Sequence, residues 1–120
     1  MSGHYTLVGQ TPVPCSDVIE WAQWFETADR RVARTSCWFG LVLVSTVFLG
    51  LDHNFARDFG DLDAPPLLFE SMTFWRREGG YETERCSTWP EAEAQHAAMV
   101  HQVRSLRSLC AWLWRHLVRR

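Results

Sequence analysis

The stretch GLVLVSTVFLGLDHNF, residues 40–55, decides the fold. From Leu41 to Leu51 it is rich in apolar and β-branched side chains on both alternating positions. That is the pattern of a central strand covered on two sides. A buried strand avoids charge, yet this one runs straight into Asp52 and His53. The pair is either the polar end of a structural strand or a reactive pair that the strand holds in place.

Strand signals continue on both sides. VARTSCW (32–38) precedes the run across a Phe-Gly turn. Residues 54–66 read as a loop, with Asp58, Asp61 and Asp63 in solvent and Pro65-Pro66 stiffening its exit. PLLFESMTFWRR (66–77) and YETERCST (81–88) flank Glu78-Gly79-Gly80, a hairpin signal because glycine tolerates positive φ. Near the start, HYTLV (4–8) is a short strand, and a helix follows with Ser16 as N-cap and Asp17 in its first turn. Val18, Trp21, Ala22, Phe25 and Ala28 share one face of it, with Trp24 at the stripe's edge. Thr88-Trp89-Pro90-Glu91 opens a second helix as a capping box. Its pattern runs to the C-terminus with a break near Ser105 or Ser108. The order β-α-β-β-β-β-α predicts an α+β fold, a small antiparallel sheet with two helices packed on it. Residues 1–104 form the α+β domain and 105–120 a basic amphipathic C-terminal helix.

At 120 residues, 47% hydrophobic and 22% charged, the chain is sized for one packed core and is not disordered by composition. All 12 basic residues are arginine. The net charge of −2 hides an asymmetry: residues 1–103 hold 7 Arg against 14 acids, whereas 104–120 hold 5 Arg and no acid. Cys15, Cys37, Cys86 and Cys110 are scattered, with no CxxC pair and no signal-peptide pattern. Free thiols in the cytoplasm are the expectation. The longest apolar run, 38–51, is 14 residues and too short for a membrane helix.

Candidate chemistry gathers around three places. On the second helix Ala92, His96, Met99 and Val103 share a face, so His96 points toward the sheet, with Glu93 one turn before it. The E-x-x-H spacing recurs in helical metal sites. Glu70 lies inside its strand between Leu68 and Met72, where a carboxylate needs solvent or a partner. If the loop folds back, His53, Glu70 and His96 converge as ligands for a divalent metal such as zinc, assisted by Glu93 or Asp52. The alternative is structural: Asp52 and His53 bind loop amides, Glu70 pairs with Arg85 across the hairpin, and His96 is a hydrogen-bonded core residue. Cys86 with a distant histidine is a weaker candidate nucleophile. Asp58-Phe59-Gly60 lacks every companion of a kinase signature, and there is no phosphate-binding glycine loop and no GxSxG elbow.

The tail SLRSLCAWLWRHLVRR (105–120) is amphipathic. Leu106, Leu109, Cys110, Leu113 and Leu117 form its stripe, opposite Arg104, Arg107, Ala111, Arg115 and Arg119. Such a helix docks on its own sheet or on a second subunit, or presents its Arg face to nucleic acid or to a membrane surface. Burial of the stripe, on the sheet or in a homo-oligomer, is the expectation.

Three ordered motifs, STVFLGLDHNF (45–55), PPLLFESMTF (65–74) and ERCSTWPEAEAQH (84–96), resemble those of a family of small, largely uncharacterised bacteriophage and prophage proteins. The resemblance covers about residues 44–100. This chain departs from the family near Cys86, where Tyr is usual, and near Gln95, where Gly is usual. The resemblance implies a phage accessory protein that counters a host defence by binding a host protein or a nucleotide signal. It also gathers Asp52, His53, Glu70, Arg85, Trp89 and His96 as the expected ligand-binding set, since all six fall inside the shared motifs. A small metal-dependent hydrolase using His53, Glu70 and His96 is the alternative.

Overall fold

A computed structural model describes residues 3–54, 56, 60, 61, 63–76 and 80–118. Glu78 and Gly79 of the expected turn, Asp58, Arg119 and the side chain of Leu106 lie outside the described residues.

Among the described residues, two antiparallel sheets and three helices make up the α+β fold. Strands β1 (Tyr5–Val8) and β2 (Thr11–Pro14) form a separate hairpin instead of joining the main sheet. Helix α1 (Val18–Thr27) follows. Then β3 (Arg31–Cys37), β4 (Val42–Phe48), β5 (Phe69–Trp75) and β6 (Gly80–Cys86) pair in sequence order as a four-stranded meander. Helices α2 (Trp89–Arg104) and α3 (Leu106–Val118) close the chain, parted at Ser105 as the serine break predicts. Strand β2 was not foreseen, because Pro12 and Pro14 argue against a strand. A two-stranded ribbon has only edges, where proline's missing N–H is tolerated.

Strand β4 alternates strictly between buried and half-buried residues. Val42, Val44, Thr46 and Phe48 face inward, and their partners Trp75, Thr73, Ser71 and Phe69 on β5 share that face. Helix α2 covers it with Ala92, His96, Met99, Val100 and Val103. The core divides in two. One cluster joins Cys37, Val42 and Val44 to Met99, Val100 and Val103, and the other joins Phe48, Leu68 and Phe69 to Ala92. Strand β4 is therefore covered on one side, not two. Among the described residues no helix packs on the other face, where Leu43, Val47, Met72 and Phe74 stay half-exposed.

Helix α1 docks at the far end of the sheet. Its N-cap is Asp17, one residue later than expected, whose Oδ1 accepts from the Ile19 and Glu20 amides at 3.0 and 3.2 Å. The packed stripe is Trp21, Trp24 and Phe25, while Val18 and Ala22 face solvent. Trp24 meets Phe48 edge to face at 5.9 Å. Gly50, at φ +77°, has a backbone that favours glycine, and a Cβ there would crowd the Phe25 ring at 3.2 Å.

The β3–β4 turn is under strain. Trp38 and Phe39 both have positive φ, 51° and 58°, a region that bulky side chains rarely occupy. The Trp38 indole is compensated: it packs on the first cluster and donates to the Val103 carbonyl at 2.6 Å. Phe39 stands fully exposed and gains no burial. Phe39→Gly is therefore expected to raise stability by about 1 kcal/mol in urea denaturation. A loss of stability would show a contact that holds the ring.

Helix α3 leaves Cys110, Leu113 and Leu117 of its stripe exposed, since α2 already occupies the covered face of the sheet. Its anchor is Trp112, stacked on Trp75 at 6.3 Å and 18°. Leu113, Trp114, Leu117 and Val118 are exposed. Among the described residues no helix is long and apolar enough to cross a membrane.

Candidate functional site

The residues singled out in the sequence do not meet at one point. Asp52 sits at the neck of the loop, its amide donating to the Gly3 carbonyl. Its Oδ1 accepts from the Asn54 amide at 2.8 Å and the Leu67 amide at 3.1 Å, so one carboxylate oxygen ties the loop's entry to its exit. His53 adds a backbone bond to the Leu67 carbonyl at 3.0 Å, and Asn54 Nδ2 donates to the Pro65 carbonyl. Asp52-His53 thus lies beyond the end of β4, just past the isolated bridge of Leu51 with His4, and clamps the loop.

Glu70 pairs with Val47 and Arg85 across the sheet, and its carboxylate accepts from Arg85 Nε at 2.8 Å. The register places both on the half-exposed face, whereas His96 lies on the covered one. A sheet separates Glu70 from His96. Trp89 packs edge to face on Phe69 at 6.1 Å and donates its indole N–H to Glu93, which turns that carboxylate away from His96.

His96 closes a buried polar line. Nε2 lies 2.8 Å from Thr35 Oγ1, and Nδ1 lies 2.8 Å from Thr46 Oγ1. Thr46 Oγ1 is 2.7 Å from Ser71 Oγ, which donates to Gln95 Oε1, and Gln95 Nε2 donates to Glu84 at 3.4 Å. The Glu84 carboxylate accepts only, and this sets the direction of every bond behind it. Ser71 donates to Gln95, so Thr46 donates to Ser71 and accepts from Nδ1–H. Nε2 is left to accept from the Thr35 hydroxyl. The ring is neutral with its proton on Nδ1, and burial lowers its pKa from the ordinary 6.5. Nδ1 carries the proton and the Nε2 lone pair accepts from Thr35, so no ring lone pair is open to a metal. Among the described residues no group of three His, Cys, Asp or Glu side chains is placed to hold one. The zinc expectation for His53, Glu70 and His96 does not fit this geometry.

Cys86 is poorly set up as a nucleophile. Burial, and next the negative charge of Glu91, push its thiol up to about 11, so the thiolate is scarce at neutral pH. The cleft where β5, β6, α2 and α3 meet holds about 100 Å³. Small-molecule sites usually offer about 300 Å³ or more. A larger groove of about 410 Å³ beside the α2–α3 elbow is open and lined by Gln102, Ser105, Arg107 and Ala111.

The half-exposed face of the sheet is the surface that sequence reasoning missed. Register assigns it three rows across β3 to β6. The first is Ser36, Leu43, Phe74 and Tyr81, nearest the strained turn with Phe39. The second is Arg34, Ser45, Met72 and Thr83. The third is Arg31, Val47, Glu70 and Arg85. Phe74 and Tyr81 are ring neighbours at 6.2 Å. The signal was present as an apolar second face on β4, where a covering helix was expected. Comparison with protein-family models, with curated proteins and with solved structures found no match.

Proposed function

We propose that this chain is a non-catalytic binding protein, a phage accessory product that counters a host defence in the bacterial cytoplasm by gripping a host protein or a nucleotide ligand. One observation carries this reading: the Asp52, Glu70 and His96 side chains that suggested chemistry are hydrogen-bonded within the fold, while an aromatic and arginine-bearing sheet face stands uncovered. Large half-exposed apolar faces of this kind mark interaction sites, and aromatic and Arg residues dominate binding hot spots. Expression in bacteria carrying single defence systems, challenged with sensitive phage, tests it. Plaques are expected to recover with the intact chain and with His53→Ala, and to be lost with the double change Arg34→Glu and Tyr81→Ala. Loss with His53→Ala alone, or no rescue in any strain, overturns the reading.

The exposed side of α3 supports a homo-oligomer as a second feature. Trp114 and Leu117 are each 69% exposed, more apolar surface than one short helix leaves in water. Light scattering is expected to show a dimer or higher species that Leu117→Glu converts to monomer.

A further inference from the structure

The charges and rings on the uncovered face specify a ligand class, given the reading above that this face is the contact surface. Arg31, Arg34 and Arg85 project from it against one carboxylate, Glu70. Glu70 is engaged by Arg85 at 2.8 Å. Arg31 and Arg34 are exposed, and neither guanidinium has a carboxylate partner among the described residues. This positive patch lies on a body that is acidic over residues 1–103, with 7 Arg against 14 acids. It attracts a polyanion and repels a second copy, whose own face brings the same charge.

The rings narrow the class. Tyr81 is 63% exposed and adjoins Phe74 at one end of the face, with the hydroxyls of Ser45 and Thr83 in the next row. An acidic peptide would use the arginines and leave the rings without a role. A four-stranded sheet that offers aromatic rings, hydroxyls and arginines stacks bases and holds phosphates. Four strands and three rows span roughly 14 by 13 Å, room for two or three bases. We propose that this face binds single-stranded nucleic acid, with bases stacked on Phe74 and Tyr81 and phosphates held by Arg31 and Arg34.

Fluorescence anisotropy of the full chain with labelled single strands of about 12 nucleotides, as RNA and as DNA, tests this directly. Saturable binding is expected at about 50 mM salt, with a log–log salt slope near −1.4 for two neutralised phosphates. Arg34→Gln should weaken binding at least about fivefold and flatten the slope by about 0.7. Tyr81→Ala should weaken it at least about fivefold and leave the slope unchanged. Both positions are exposed, so thermal melts of these variants should match the parent. Arg107→Gln on α3 should change neither quantity, which separates this face from the Arg side of the tail. The proposal is overturned by no binding at low salt, by a mononucleotide binding as tightly as the strand, by polyglutamate competing equally well, or by loss through Arg107→Gln instead. A dimer that Tyr81→Ala dissolves would likewise overturn it in favour of a second copy. If oligonucleotides fail while the phage assay still depends on Arg34 and Tyr81, the ligand class falls and the contact surface stands.

Discussion

His96→Ala is expected to lose about 3 kcal/mol of stability, a large fraction of the total for a domain this size. The ring is 7% exposed, its partners are Thr35 and Thr46, and Thr46 and the Ser71 behind it are fully buried. Removing it strands the Thr46 hydroxyl without its donor and the Thr35 hydroxyl without its acceptor, and opens a cavity between α2 and the sheet. Thermal or urea denaturation reads the loss, expected as roughly 10 °C in Tm. A pH dependence accompanies it. The folded ring has a pKa below 6.5, so beneath that pH the unfolded chain binds more protons than the folded one. Stability therefore falls on acidification from about pH 6.5, with a slope of at most about 1.4 kcal/mol per pH unit from this group. Subtracting the curve of His96→Leu isolates it, since that variant lacks the titrating ring. Identical slopes in the two proteins would show that His96 is protonated alike in both states.

Phe48→Ala is expected to cost about 3–5 kcal/mol. The ring is fully buried and sits where three elements meet: Phe69 at 5.2 Å, Trp24 of α1 at 5.9 Å, and Ala92 of α2 in the same cluster. Helix α1 has no fully buried residue, so the Trp24 contact is a main attachment. Hydrogen exchange in the variant should therefore accelerate in α1 more than in α2, which keeps Met99, Val100 and Val103 in the other cluster. Equal acceleration in both helices would show one cooperative core.

Much of this was legible in the sequence. Period-two patterning located β3 to β6, the Thr88 cap placed the start of α2, and the inward face of α2 carries Ala92, His96, Met99 and Val103 as spaced. The structural alternative matches the observed bonds for Asp52, Glu70 and His96, whereas His53 contributes its backbone amide alone. What the sequence withheld is which of two apolar sheet faces a helix covers. Leu68, Glu70 and Met72 alternate with Phe69, Ser71 and Thr73, and parity alone does not tell the inner set from the outer. Convergence of Glu70 with His96 assumed the wrong parity, because Leu68, buried just before β5, made the Glu70 side look like core. The polar line was equally hidden. Thr46 and Ser71 interrupt apolar strands, but only register sets them side by side beneath His96. The left-handed turn at Trp38 and Phe39 had only Gly40 to announce it, since neither aromatic residue favours that backbone.

His96 is a neutral core residue whose two ring nitrogens are engaged within the fold. Long-range nitrogen–proton NMR of the histidine rings, followed from pH 8 to pH 5 with and without one equivalent of zinc, tests it most directly. The expected result is a His96 ring with its proton on Nδ1, a pKa shifted below the ordinary 6.5, and no response to the metal. Protonation at the ordinary value, the opposite tautomer, or a zinc-induced shift at His96 would contradict it.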